Sequence, residues 1–493
     1  MTKFFTIIEY IKDIIRGSKF ERHIYVVGGS VRDLIMKRPI KDIDLVIDIE
    51  NGGVEFAKFC MDSNLLTHDV VIYERFGTAM FKFLKFPDDE IECVMTRGEK
   101  YPDRNSRNPE TVFASIEDDC IRRDLTINAL YYNISTGEIV DMVGGLNDIE
   151  NKVIRTTNEN PDIVMDDDPL RICRIVRFAS RYGWEIDPKT YESMKQYVDR
   201  LEIISKERIK DEFNKILLSD NATMGIRILC DIGAMKYIIP EVDEMIGMEQ
   251  NAFHFGDVFE HTMALLDYDS NHFESEDIAV RLALLLHDIG KIVTKTVGDD
   301  GRSHFYDHEF AGATMVVDIL KRLKYDNKTI DTVQFLVKNH MRTKNFGNDC
   351  SKIKVKSFNK LAYDCKNMYL YKSLARVIDC DNNSHKAEHN ITGQYDYFVN
   401  HMDDAVKMFD YKLPVDGNDV MEVLNISGGV LVKKVLDRLL KRAFPNPDAL
   451  TKDSCLKQIP QITKEIIKSD PNLFVENFVV FKHNENIQVR AND

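Results

Sequence analysis

Residues 28–47 read GGSVRDLIMKRPIKDIDLVI, and the fold of the first third of the chain follows from them. An apolar run at residues 23–27, HIYVV, leads into the pair Gly28 and Gly29. That pattern predicts a buried strand, a tight turn and a helix from Val31 onward. In IKDIDLVI polar and apolar side chains alternate, as a half-buried strand requires. Asp42 and Asp44 stand two apart on it, and residues i and i+2 of a strand project from one face. Two carboxylates held a few ångströms apart repel each other unless a cation neutralises them. Hard oxygen ligands suit Mg²⁺, which keeps coordination positions open for substrate phosphates. A bare DxD is more often a solvated strand face, but its neighbours here add chemistry. Backbone N–H groups around Gly28, Gly29 and Ser30 can cradle phosphate oxygens at the start of a helix. Arg32 can grip phosphate with two parallel hydrogen bonds. Glu92, in the apolar strand EIECVMT, can supply a third acid.

Further strands are expected at TAMFKFLKF and EIECVMT, with a hairpin at Pro87, Asp88 and Asp89, and the polar stretch 97–108 reads as a mobile loop. From residue 166 the periodicity turns helical, and no internal repeat is present. The last ~90 residues are lysine-bearing and helical in pattern, ending in a polar tail, NENIQVRAND, expected to be disordered. At 493 residues the chain suggests about three domains. No charge-free apolar stretch approaches the ~18 residues that a membrane span needs. The first residues, MTKFFTIIEYIKDIIRG, place charges among their apolar positions and predict an amphipathic helix rather than a secretory signal. Nine scattered cysteines with no CxxC pair fit reduced thiols in a cytoplasmic protein and argue against a disulfide framework or a zinc ribbon. Sixty-six Lys+Arg against 81 Asp+Glu give a net charge of −15, which disfavours a nucleic-acid partner only as a global sum. A local basic groove can still bind phosphates.

The stretch that opens this section resembles the head signature of the class II nucleotidyltransferases, the family of tRNA CCA-adding enzymes and bacterial poly(A) polymerases. The resemblance continues in order through IRRDLTINAL (121–130), DMVGGLNDIENKVIR (141–155), DDPLRICRIVRFASRYGW (167–184) and SKERIKDEFNKIL (205–217). It implies an α+β protein: a small mixed nucleotidyltransferase head with a polymerase β-like sheet over residues 1–150, then a long all-α body. The body would comprise a helical neck over 151–250, an HD domain over 251–390 and a C-terminal helical tail over 391–493. It further implies that Asp42, Asp44 and Glu92 are catalytic, the first two binding Mg²⁺. Gly28, Gly29, Ser30 and Arg32 would hold the triphosphate, and Arg122, Arg123, Asp124 and Asn128 the phosphates and ribose.

Asp168, Arg171 and Arg174 are spaced to share one face of a helix. A carboxylate accepts from an exocyclic amine while a guanidinium donates to ring nitrogen and carbonyl, so the resemblance makes Asp168 and Arg171 the readers of cytosine and adenine. Taken alone, the same residues describe an ordinary intrahelical ion pair. The family's usual Glu is Asp167 here, a shorter acid of equal charge. The segment TRGEKYPDRNSRNPETVFAS (96–115) resembles the family's flexible loop for switching from C to A addition.

A second constellation follows residue 250: His261, the doublet His287 and Asp288 in LALLLHDIGK, His308, His340, and a late Asp381 or Asp379, of which Asp381 fits the pattern better. A charged aspartate ending an apolar helix is costly without a partner. A metal or a histidinium removes that cost, and imidazole with carboxylate suits Mn²⁺, Ni²⁺, Fe²⁺ or Mg²⁺. The ordered set resembles an HD-domain metal-dependent phosphohydrolase, implying a divalent transition metal or Mg²⁺ and phosphatase or 2′,3′-cyclic phosphodiesterase activity. His254 and His304 are expected in loops or behind the ligands.

Together these features predict template-independent addition of CCA to tRNA 3′ ends from CTP and ATP, with no membrane partner. A poly(A) polymerase is the nearest rival. A phosphohydrolase whose head only binds RNA is a rival of another class, against which the complete acid set Asp42, Asp44 and Glu92 argues.

Overall fold

A computed structural model describes residues 2–40, 42–100, 110–250, 256–274, 277–299, 301–346, 349–384, 390–470, 478–483 and 486–491, the last two stretches as backbone. The chain forms two compact units: Met1–Met248 with Asp269–Arg281 and Asp318–Asp326, and Glu249–Tyr268 with Leu282–Val317 and Asn327–Asp493.

In the first unit, β1 (Ile24–Val27), β2 (Ile43–Ile47), β3 (Val71–Tyr73), β4 (Thr78–Phe83), β5 (Phe86–Met95), β8 (Leu130–Asn133) and β9 (Ile139–Asp141) make a sheet of order β3-β4-β5-β2-β1-β8-β9. Period-2 burial explains its two faces. Ile43, Leu45 and Ile47 of β2, with Ile91 and Cys93 of β5, pack against Ile7, Ile8, Ile11 and Ile15 of α1 (Thr2–Ile15) and Phe56, Ala57 and Cys60 of α3 (Gly52–Asp62). Val46 takes the opposite face with Val27, Ile116, Cys120 and Tyr131. Asp44 alternates with Leu45 and so shares the face of Val46. Between β1 and β2 runs α2 (Gly29–Ile35), and α4 (Ile116–Ile121) and α5 (Gly145–Asn151) follow later.

The helices that follow the sheet are α6 (Pro161–Asp167), α7 (Leu170–Tyr182), α8 (Pro188–Tyr197), α9 (Lys206–Leu217), α10 (Ala222–Asp231), α11 (Met235–Ile238) and α12 (Pro240–Asp243). Around the histidines run α13 (Val258–His272), α14 (Ile278–Leu286), α15 (Lys291–Thr294), α16 (His308–Arg322), α17 (Asn327–Asn339), α18 (Val355–Cys365) and α19 (Met368–Asn382). The remaining helices are α20 (Gln394–Asn400), α21 (Met402–Phe409), α22 (Gly417–Leu424), α23 (Val430–Ala443) and α24 (Lys452–Ser469). Val420, Val435, Leu439, Cys455, Ile459 and Ile462 give the last three their own core. No helix among the described residues is long and apolar enough to cross a membrane, and all nine cysteines are free thiols.

Four local expectations are corrected. The hairpin turns at Leu84 and Lys85, between the paired Phe83 and Phe86, so Pro87, Asp88 and Asp89 lie inside β5. Pro87 is tolerated there because β2 begins to pair β5 only at Ile91. The expected loop 97–108 begins as a strand: β6 (Arg97–Lys100) pairs antiparallel with β7 (Glu110–Phe113), while 101–109, the heart of the proposed switching segment, lies outside the described residues. The tail is no unstructured run, since Phe478–His483 pairs antiparallel with Asn486–Ala491, the β-branched and aromatic run FVVF favouring a strand. Asp168 is not helical. It closes α6 in an extended conformation, φ −142° and ψ 99°, because Pro169 bars the preceding residue from helical geometry.

Candidate functional sites

The three acids of the head meet on the sheet face opposite the main core. β2 and β5 run parallel with Asp44 level with Glu92, so both carboxylates leave the same face, and Asp42 stands just before β2. Burial, then the negative charges of Glu92 and Asp42, push Asp44 up to about 6 against the pull of Arg123. Three acids whose mutual repulsion raises one of them fit a divalent cation.

The glycine bend lies over this cluster. Gly28 has φ +68°, and a Cβ there would stand 4.0 Å from Asp44 Oδ2 and 3.8 Å from Arg123 Nη1. Any side chain at that position would be strained by the positive φ and would touch both groups. Ser30 Oγ donates to the Asp42 carbonyl at 2.5 Å, tying the turn to the residue that starts the acid series.

The predicted arginines are held by acids. Buried Asp119 receives Arg122 at 2.6 Å, Arg123 at 3.0 Å and the Tyr131 hydroxyl at 2.7 Å. Burial would raise its carboxyl, but Arg123 and Arg122 outweigh that and hold it at about 2. Neither Asp119 nor Tyr131 is in the predicted set, although Asp119 stands three and four residues before Arg122 and Arg123, a helical spacing that signals such pairs. Arg32 Nη1 donates to Asn128 Oδ1 at 2.6 Å, Asn128 Nδ2 to Asp124 Oδ1 at 3.2 Å, and Arg174 Nη2 lies 2.6 Å from Asp124 Oδ2. These four predicted residues thus form one hydrogen-bonded chain from α2 to α7.

The base-reading pair is not assembled as the spacing predicts. Asp168 binds Arg208 of α9 at 2.8 Å, another partner absent from the predicted set. Arg171, 8% exposed, donates to the carbonyls of Val164 at 3.3 Å and Arg122 at 2.8 Å. The break at Pro169 removes the shared helical face, leaving Arg171 bonded to the RRD segment through the Arg122 carbonyl and Asp168 turned to Arg208.

In the second unit the six predicted residues come together. Asp288 Oδ2 lies 3.2 Å from His287 Nε2 and 3.9 Å from His261 Nε2. Its Oδ1 lies 3.2 Å from His308 Nε2 and 3.8 Å from His340 Nε2. Asp381, not Asp379, joins them at 3.2 Å from His261 Nε2, whereas Asp379 accepts from the Tyr268 hydroxyl. Every Nδ1 faces a main-chain carbonyl: Ser384 for His261, Leu284 for His287, Phe305 for His308 and Val337 for His340. A carbonyl only accepts, so each Nδ1 carries a proton, and each Nε2 is the nitrogen turned toward the acids.

An unprotonated Nε2 would repel these carboxylates, and either a metal between them or an Nε2 proton removes that repulsion. The buried Nε2 of His287 makes no hydrogen bond of good geometry. The donors therefore fit a metal, and they form two triads sharing Asp288: His261, His287 and Asp288, and Asp288, His308 and His340. Lys291, 2.6 Å from Asp288 Oδ2, and Lys344, 2.7 Å from Asp381 Oδ2, oppose the burial of the two acids and, with the histidines, hold both well below the usual carboxylate range. Neither lysine is in the predicted set, though Lys291 stands one turn after Asp288. Burial, then His287, lowers His340 to about 3. His304 stacks on Tyr306 apart from these ligands, and His254 lies outside the described residues.

Comparison with known proteins places the same segments. Residues 24–155 match the poly A polymerase head domain, 183–246 the probable RNA and SrmB-binding site of polymerase A, and 253–380 the HD domain. The chain is 31% identical over 314 residues to a multifunctional CCA protein of Pseudomonas fluorescens, covering 61% of this chain and 70% of that one. It is 29% identical over 327 residues to a multifunctional CCA protein of Acinetobacter baumannii, covering 65% and 74%. Among solved structures, the CCA-adding enzyme of Bacillus stearothermophilus in complex with CTP aligns with TM-score 0.66 at 20% identity, over 93% of this chain and 98% of that one. The Thermotoga maritima CCA-adding enzyme complexed with tRNA aligns with TM-score 0.55 at 20% identity, over 93% and 95%. These two likenesses concern the fold.

Proposed function

The chain belongs to the nucleotidyltransferase family of the multifunctional CCA proteins, and from that premise we propose that it completes tRNA 3′ ends with CCA, using CTP and ATP. The observation that carries the reading is the acid cluster Asp42, Asp44 and Glu92 beneath the Gly28 bend. The terminal ribose hydroxyl of the tRNA attacks the α-phosphate, and pyrophosphate leaves in line. Asp42, Asp44 and Glu92 would hold Mg²⁺, which supplies charge neutralisation to the attacking and leaving oxygens. The glycine bend leaves room for the triphosphate, and Arg32, Arg122 and Arg123 present guanidinium groups that the Asn128 and Asp119 contacts keep in place. Arg171 and Asp168 would read the base edge, which requires Arg171 to exchange its bond to the Val164 carbonyl for one to the base.

The acceptor end would be held through its phosphates by the basic helices after residue 400, in a cytoplasm that keeps the nine thiols reduced. Incubation of the full chain with tRNA lacking CCA and each labelled triphosphate, singly and together, tests the reading. Addition of two C and one A supports it, long adenylate tails favour a poly(A) polymerase, and no incorporation refutes both.

The HD centre supports a second activity in the same chain. Its four imidazole lone pairs and two acids are chemically suited to a divalent transition metal or Mg²⁺, and to hydrolysing 3′-phosphates or 2′,3′-cyclic phosphates at RNA ends before nucleotide addition. Release of phosphate from cyclic or 3′-phosphorylated nucleotides, tested across Ni²⁺, Mn²⁺, Fe²⁺ and Mg²⁺, measures it.

A further inference from the structure

Beside the HD centre lies a cavity of about 420 Å³, within the size range of small-molecule sites, lined in part by Glu309, Phe310, Lys338, Asn339, Arg342 and Lys360. Two of these residues adjoin metal-centre histidines in sequence. Glu309 follows His308, Asn339 precedes His340, and the two histidine Nε2 atoms are 3.4 Å apart. Part of the cavity wall and two ligands of one triad are therefore carried by the same stretches of chain, α16 and the end of α17, which His340 follows directly.

Its chemistry differs from that of the centre. Phe310 is 50% exposed, with the Lys338 ammonium 5.9 Å from its centroid. Arg342 is fixed by Asp364 at 2.7 Å and by Asn339 at 3.1 Å, giving the cavity a rigid polar side. Lys338 and Lys360 are exposed and make no ion pair with the described residues. An accessible aromatic face with free ammonium groups on a chain of net charge −15 is the combination that binds bases by stacking and backbone phosphates by charge.

We propose that this cavity is the nucleoside subsite of the HD centre. It takes the terminal base of an RNA 3′ end on Phe310 and the phosphate 5′ to it on Lys338 and Lys360, so that the 3′-phosphate reaches the histidines. The proposal deepens the hydrolase reading of that centre and rests on it for the identity of the ligand. It makes Phe310 a positioning residue, because the ring holds the base and touches none of the metal ligands' acids.

The test uses the full chain with Mn²⁺ present. Equilibrium dialysis follows labelled cytidine 3′-monophosphate, with glycerol 2-phosphate as a competitor that has no base. Phe310→Ala is expected to weaken cytidine 3′-monophosphate about tenfold while leaving the glycerol 2-phosphate competition unchanged. Phe310→Trp is expected to restore binding, and the pair Lys338→Glu with Lys360→Glu to weaken a 3′-phosphorylated dinucleotide more than the mononucleotide. Unchanged nucleotide binding in Phe310→Ala overturns the proposal. So does an equal loss for both ligands, or failure of the unaltered chain to bind the nucleotide. Hydrolysis of 2′,3′-cyclic CMP, measured in parallel, separates the two claims. If the nucleotide binds through Phe310 but is never hydrolysed, the subsite stands and the hydrolase reading falls.

Discussion

Asp44 carries a cost that its chemistry explains. Burial and the neighbouring Glu92 and Asp42 raise its carboxyl to about 6, so the folded state disfavours the ionised form. That penalty is absent below about pH 4, where the group is protonated folded or unfolded, and it grows as pH rises through 6. Asp44→Asn in metal-free protein is therefore expected to stabilise the fold above pH 7 by on the order of 1–2 kcal/mol after allowing for solvent access, read as a higher melting temperature, and to change little near pH 4. Nucleotide incorporation should vanish in the same variant while HD-centre hydrolysis persists, and Mg²⁺ should stabilise the variant less than the unaltered chain. A variant that melts lower at pH 8 would show that the acids are not in mutual repulsion. Asp119 is the opposite case. With two arginines holding it at about 2, its contribution is full above about pH 4 and disappears as pH falls toward 2. Asp119→Asn leaves two half-buried guanidiniums without the buried acid that holds them. A loss of about 3 kcal/mol in urea denaturation at pH 7 is expected, together with a higher KM for CTP. An unchanged midpoint would mean that other groups hold the arginines.

Element boundaries decided which of these residues the sequence disclosed. The DxD strand was readable because period 2 requires no knowledge of partners, and Asp44 and Glu92 occupy the face that alternation assigns them. Asp168 was misplaced because a spacing of three was read as helical through Pro169, although the proline signals the break between α6 and α7. Asp119 escaped although its spacing of three and four from Arg122 and Arg123 signals such pairs, because that spacing counts only where the segment is helical, as α4 makes it. The HD ligands were legible as an ordered set, but their joining depends on close element packing that a string of letters does not show. Gly290, between α14 and α15, is the clearest instance. A Cβ there would fall 2.0 Å from the His308 carbonyl oxygen and 2.5 Å from the Gly312 nitrogen. Gly290→Ala must therefore displace the start of α16, which carries His308. The expected result is at least a tenfold loss of Mn²⁺ affinity by calorimetry, a destabilisation of about 1–3 kcal/mol, and undiminished CMP incorporation. Retained affinity would show that His308 is not positioned by this contact.

A chain of net charge −15 that handles tRNA must concentrate its cations locally, and the composition could only leave that open. The last three helices offer such a place. Packing of Val435, Leu439, Cys455, Ile459 and Ile462 uses the apolar sides of α23 and α24. Lys433, Arg438 and Lys441 of α23 are left exposed. If these groups contact the acceptor arm, each displaces roughly one counterion from the phosphates, and the affinity falls with salt in proportion to their number. Replacing all three by Ala is expected to raise the Kd for tRNA about tenfold near 0.1 M salt. It should also lower the slope of log K against log salt by about two to three units. The KM for CTP should not move, because the nucleotide is held by residues of the first unit, none of which the substitution touches. A tRNA slope identical to that of the unaltered chain would assign α23 to packing alone and return the search for the phosphate contacts to the arginines of α7, among which Arg181 lies beside the Tyr182 ring with its centroid 5.4 Å away.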